Sequence, residues 1–224
     1  MTWETLAEVR AEALGCTRCR LSAGRTQVVW MDGNPDSSLM FVGEAPGFHE
    51  DRQGLPFVGA AGQLLDSMLA TIGLDRTGCC ICNVLKCRPP GNRDPMPDEI
   101  DACRPYLSAQ LGFIKPRVIV TLGNFATRFV LDRQVSISRV RGQRFTIGGA
   151  TVVPTFHPAA VLHGGGGASP QMTALRDDFA LIAAILAEPP PAPPAPPEPP
   201  EAPARRADGS EAAELEPYEQ DALF

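Results

Sequence analysis

Apolar residues in this chain gather into short, almost unbroken runs, separated by longer stretches where polar positions return at helical spacing. Leu39–Gly43, Cys80–Val84 and Val118–Gly123 are apolar at nearly every position, and a fourth run, Thr151–Phe156, precedes a proline. Runs this short, without polar alternation, predict strands buried on both faces. The segments Ala60–Ile72, Asp98–Leu111, Asn124–Leu131 and Pro170–Ala187 carry helical periodicity. Pro97-Asp98-Glu99 and Pro170 suit helix starts, where proline has no hydrogen bond to lose. Near the N-terminus, Thr2–Leu14 spaces Leu6, Val9 and Ala13 as a helix would and ends at Gly15. Strands alternating with helices predict an α/β fold, its parallel sheet covered on both sides. Ligands of such sheets sit at the carboxyl ends of the strands, so chemistry should follow strands.

Composition changes sharply at Glu188. The following stretch, PPPAPPAPPEPPEAP, favours an extended polyproline spacer, and an acidic segment runs from Ala207 to Pro217. Apolar residues reappear at the end of Tyr218–Phe224. The expected organisation is a folded domain over 1–187, a linker over 188–217 and a terminal peptide over 218–224. The net charge of −6 is a property of the tail: from Glu188 onward there are nine acids and two arginines. Residues 1–187 hold 18 basic and 17 acidic groups, so charge neither supports nor excludes a nucleic-acid partner. No stretch has the length and apolarity of a signal peptide or membrane span, and a soluble intracellular protein is expected.

Four motifs follow strands or open helices. Gly43-Glu-Ala-Pro-Gly47-Phe-His-Glu50-Asp51 is a tight loop bearing two candidate acid/base or water-positioning carboxylates, Glu44 and Glu50. Gly54-Leu-Pro-Phe57-Val-Gly59 offers a ring for stacking. Asn83 ends a strand with one acceptor and two donors, and Arg88 and Arg93 flank the Pro-Pro turn beyond it. His157, one of three histidines, stands at a strand end before Pro158. Each also has a plainer reading, as a solvated turn, a core ring, a capped loop or a structural histidine.

The seven cysteines are the sharpest signal. Cys16 and Cys19 form a CxxC, joined by Cys87 and Cys103; four thiolates suit zinc or an iron–sulphur cluster. A zinc ribbon would usually bring a second CxxC, which these four lack. Cys79, Cys80 and Cys82 lie on or beside a strand; the last two share a face and read as small apolar residues.

Taken together, GEAPGFHEDRQGLPFVGAAGQLLD, NVLKCRPPGNRDP and FHPAAVL, with the N-terminal CxxC, closely resemble the family 4, iron–sulphur uracil-DNA glycosylases over residues 1–187. The resemblance implies a three-layer α/β/α sandwich around a four-stranded parallel sheet. It implies a [4Fe–4S] cluster on Cys16, Cys19, Cys87 and Cys103, structural in character. It also implies excision of uracil from single- or double-stranded DNA by a cytoplasmic, monomeric hydrolase. A pocket formed by Glu44, Ala45, Pro46, Gly47, Phe57, Asn83 and His157 would take the flipped base. Phe57 would stack on it, Asn83 read its edge and His157 donate to its O2. Related glycosylases of another family have Asp where this chain has Ala45, so water positioning falls to Glu44, with Glu50 as second candidate. Gly47 has no side chain to block the thymine methyl, so Glu50 or a neighbour would close that side. Arg88 and Arg93 would contact DNA, and Val161 or Leu162 would wedge into the duplex. Leu162 is followed by His-Gly-Gly-Gly-Gly instead of the family's arginine-containing turn. A subgroup that binds uracil-DNA covalently carries a loop histidine, and Lys86-Cys-Arg-Pro-Pro has none.

Finally, Gln220-Asp-Ala-Leu223-Phe224 resembles the Gln-x-x-Leu-Phe peptide by which bacterial proteins dock on the DNA sliding clamp. Its place beyond a long linker suits a tether that raises local concentration. That resemblance implies a nucleoid-associated bacterial protein.

Overall fold

Side-chain caps open three of the helices in the computed structural model, which describes residues 2–165 and 169–189. The Thr5 side chain accepts from the Glu8 N–H and opens α1 (Leu6–Leu14), later than periodicity suggests. There follow β1 (Asp32–Gly33), β2 (Leu39–Gly43), α2 (Phe48–Gln53), α3 (Ala60–Thr71), β3 (Cys80–Asn83) and α4 (Pro97–Ile114). The second half holds β4 (Val118–Leu122), α5 (Gly123–Leu131), α6 (Ile137–Val140), β5 (Phe145–Ile147), β6 (Ala150–Thr155), α7 (Pro158–His163) and α8 (Pro170–Ala187). Pro97 and Pro170 begin helices, as expected.

The strands lie in the order β1-β3-β2-β4-β6-β5. The expected strands β3, β2, β4 and β6 form its parallel centre. Two antiparallel edges, β1 against β3 and β5 against β6, extend the anticipated four-stranded parallel sheet to a six-stranded mixed one. At two and three residues, and largely exposed, they are too short to leave an apolar run in the sequence.

Alternation along the central strands sorts their side chains into two cores. Leu39, Phe41, Ile81, Val120 and Val153 meet Leu65 and Leu69 of α3 and Leu175, Phe179 and Ile182 of α8. Met40, Val42, Ile119 and Val152 meet Leu107 of α4 and Ala126 and Val130 of α5. Helices on both faces make the three-layer sandwich. Cys80 and Cys82 share the second core, and burial holds both thiols well above their ordinary range, so they pack as neutral apolar groups. A third cluster joins Val9 and Ala13 of α1 to Cys103 and Tyr106 of α4 and to Leu85 and Cys87 beyond β3.

No helix among the described residues is long and apolar enough to cross a membrane. The proline-rich linker, the peptide ending in Gln220, Leu223 and Phe224, and part of the Gly164–Gly167 turn lie outside the described residues.

Candidate active site

The carboxyl ends of β2, β3 and β6 open onto one cleft of about 500 Å³, lined by residues from all four motifs. Gly43 and Asn83 end their strands as register partners. A Cβ on Gly43 would lie 2.3 Å from Asn83 Oδ1 and 2.6 Å from Phe57 Cζ, so only glycine lets amide and ring approach each other here. Asn83 is 2% exposed, and its Oδ1 is the one buried side-chain nitrogen or oxygen among the described residues with no hydrogen-bond partner. Leaving such an acceptor unpaired costs about 1–3 kcal/mol. A donor on a ligand would relieve that cost.

Phe57 is buried and adopts φ 55°, a region bulky side chains avoid. Arg76, in the turn after α3, donates to the Phe57 carbonyl and to the Pro56 carbonyl at 3.1 Å. Its guanidinium is itself held at 2.8 Å by both Asp66 and Asp32. Gly62 completes the cradle, since a Cβ there would sit 1.6 Å from the Phe57 carbonyl oxygen. The Phe57 ring stacks on His157 with centroids 5.6 Å apart.

His157 caps α7 by accepting the Ala159 N–H on Nδ1 at 3.2 Å. Burial drives its pKa down to about 4, so the ring is neutral near pH 7, and with Nδ1 accepting, the proton sits on Nε2. Glu44 is half-buried; burial first, then the negative charge of Asp94, raises its carboxyl to about 7. Glu50 is placed differently from the expectation that it positions water. Its Oε1 accepts from the Val58 and Gly59 N–H groups at 2.9 and 3.0 Å, and its Oε2 accepts from the Gly47 N–H at 3.1 Å. It ties the two loops together and backs Gly47 within the cleft.

Two further expectations change. Arg93 lines the cleft but is held by the fully buried Glu99 through contacts of 2.5 and 2.9 Å, so part of its charge is already compensated within the protein. Val161 is 0% exposed and packs in the first core, whereas Leu162 is 39% exposed. Adjacent helical residues point about 100° apart, so only Leu162 is available as a wedge. Arg88 donates to Asn92 Oδ1 at 2.7 Å and has no carboxylate partner among the described residues.

Away from the cleft, Cys16, Cys19, Cys87 and Cys103 line a single cavity together with Leu21, Leu85, Arg25 and Tyr106. All seven cysteines are free thiols. Arg25 donates to Cys87 Sγ at 3.4 Å, the Lys86 N–H to Cys103 Sγ at 3.3 Å and the Arg18 N–H to Cys16 Sγ at 3.5 Å. Among the described residues no group of three or more His, Cys, Asp or Glu converges as ligands of one ion.

Residues 30–179 match the Uracil DNA glycosylase superfamily. A type-4 uracil-DNA glycosylase of Thermotoga maritima is 49% identical over 164 residues, covering 72% of this chain and 85% of the relative. The type-4 enzymes of Sulfurisphaera tokodaii and Archaeoglobus fulgidus are each 46% identical, over 71% of this chain and 77% and 84% of their own lengths. The chain belongs to the type-4 uracil-DNA glycosylases.

Within this type-4 chain, sequence reading misses Asp94 and Arg76. Asp94 lines the cleft and acts on Glu44 through space, while Arg76 lies on a polar turn whose composition gives no sign of its four acceptors. Arg76→Ala should cost about 2 kcal/mol by leaving carbonyls and carboxylates unpaired, or ~4–8 °C in melting temperature. Differential scanning calorimetry checks this, with Arg10→Ala on the exposed face of α1 as the neutral comparison.

Proposed function

We propose that this chain hydrolyses the N-glycosidic bond of deoxyuridine in DNA, releasing uracil and leaving an abasic site. The observation that carries the reading is the unpaired, buried Asn83 Oδ1, set beside a Phe57 ring and a neutral His157 in one cleft. Uracil N3–H supplies the missing donor, and the amide nitrogen donates to O4. Cytosine reverses both patterns. The base must leave the duplex to enter this cleft. Phe57 takes its face, and the Glu44–Gly47 segment with His157 encloses it.

Bond cleavage puts negative charge on uracil and positive character on the sugar. His157 Nε2–H donates to O2 as that charge grows, and its low pKa keeps the donor neutral and in place. Glu44, as carboxylate, orients the water and favours the cationic sugar. Arg88 and the exposed Leu162 meet the DNA around the flipped nucleotide.

Cys16, Cys19, Cys87 and Cys103 would hold a [4Fe–4S] cluster. Each thiolate of such a cluster binds its own iron, so the sulphurs surround a body and need not converge on one point. One cavity lined by four thiols, with N–H donors aimed at three of the sulphurs, supports that reading. The bound cluster would supply a structural crosslink between α1, α4 and the segment after Asn83. At the far end, Gln220, Leu223 and Phe224 would dock on a bacterial sliding clamp, placing the enzyme with replicating DNA in the cytoplasm.

Purified protein should yield alkali-labile sites in uracil-containing oligonucleotides and none in matched thymine strands; intact uracil strands would sink the reading. Asn83→Ala should lower kcat/KM roughly 100-fold or more. The pH profile of kcat/KM should rise through about pH 7 and level above it, because Glu44 must lose its proton. Asp94→Asn removes a repelling charge and should move that midpoint to lower pH. The same raised carboxyl should make folding stability decline as pH climbs from 4.5 towards 7, since the folded state then holds more protons than the unfolded chain. Cys87→Ser should lose iron, counted chemically per chain, and melt at lower temperature. Deleting Gln220–Phe224 should abolish capture by immobilised clamp while leaving uracil release intact.

A further inference from the structure

Phe48 is a large apolar residue left 46% exposed, immediately after Gly47, whose backbone lines the cleft. Two guanidinium groups lie against its ring. Arg52, one turn along α2, is 5.5 Å from the centroid, and Arg88, from the segment after β3, is 5.1 Å away. His49 packs edge-on to the same ring, with centroids 5.4 Å apart. The ring therefore joins a cation of α2 to one from the segment after β3.

These two cations are not held by carboxylates, as seven of the sixteen arginines among the described residues are. Arg20, Arg76, Arg93, Arg141 and Arg144 all end on carboxylates. Among the described residues neither Arg52 nor Arg88 has a carboxylate partner. Arg88 spends its Nε on Asn92, which itself lines the cleft, and leaves its terminal nitrogens free of ion pairing. Two positive groups without a carboxylate partner thus stand beside Gly47, Pro89 and Asn92, which line a pocket read as taking a flipped base.

We propose that Phe48 is an organising platform that holds Arg52 and Arg88 as a two-cation clamp on DNA phosphates flanking the extruded nucleotide. The occupant follows from charge complementarity and from continuity with the cleft. Guanidinium groups grip phosphate through paired N–H donors, and an aromatic face fixes a guanidinium at little cost to its charge. Phe48 touches neither base nor reacting atoms in this scheme; it is a positioning residue. The inference rests on the uracil-DNA reading for the identity of the flipped nucleotide, though the phosphate grip itself is testable on any duplex.

The test measures binding of the full chain to a short undamaged duplex across a series of salt concentrations, and uracil release in parallel. Each phosphate contact contributes about 0.9 to the slope of log K against log salt. Arg52→Ala and Arg88→Ala should each reduce the slope by roughly that amount. Phe48→Ala should reduce it by about 1 to 2, although it removes no charge. It should also raise KM for uracil-DNA several-fold with kcat nearly unchanged. Phe48→Trp should restore the slope, because indole holds cations at least as well. Arg133→Ala, on a distant exposed turn, should leave the slope alone. A Phe48→Ala slope equal to that of the unsubstituted protein would overturn the clamp, as would weaker binding at unchanged slope, which would mean the ring stacks on a base directly. If the slopes shift as expected while no uracil is released, the clamp stands and the glycosylase reading fails.

Discussion

The parallel pairing of β2 with β3 continues after regular strand geometry ends, and most of the site depends on that continuation. Gly43 and Asn83 are the last paired residues. Beyond them the Val84 N–H donates to the Gly43 carbonyl at 2.9 Å and the Leu85 N–H to the Glu44 carbonyl at 3.0 Å. The next residue, Lys86, gives its N–H to Cys103 Sγ. One unbroken course of backbone donors therefore runs from the sheet, past Glu44 and Asn83, to the cysteine cavity. Displacing it by a single residue would turn every side chain along it to the opposite face.

Lys86 reinforces this course from behind. It is 2% exposed, and its ammonium donates to the Asn83 carbonyl at 2.7 Å and to Gln110 Oε1 at 2.5 Å, with the Trp30 ring 5.5 Å away. Gln110 in turn donates to the Trp30 carbonyl at 3.3 Å. A buried cation demands such partners because losing hydration without replacement is expensive. The result is that the backbone of the proposed base reader is fixed by a network rooted in α4, the helix that also carries Cys103. Cysteine cavity and cleft are thus two ends of one support.

Polar groups around the cleft divide by whether the protein already satisfies them. Glu50 and Arg93 have their partners, and their work is to fix loop geometry. Asn83 Oδ1 has none, and Glu44 is held near neutrality by burial. In the proposed reaction, chemistry falls to the second group, since groups not already committed are the ones free to respond to a ligand.

The apolar runs name the four central strands, and the strand-end rule alone groups Glu44, Asn83 and His157 at the carboxyl ends of the sheet. The CxxC with Cys87 and Cys103 likewise marked out the residues that meet in one cavity. Most of those properties are local: burial of a run, the CxxC spacing and the residue type at a strand end are written in contiguous sequence. The edge strands, the Arg76 cradle under Phe57, the capture of Arg93 by Glu99 and the burial of Val161 beside an exposed Leu162 were decided only by tertiary structure. Sequence states which groups can donate, accept or carry charge. Which of them remain unpaired depends on neighbours from distant segments, and that choice gave Glu50, Arg93 and Val161 partners within the protein and left Asn83 Oδ1 without one.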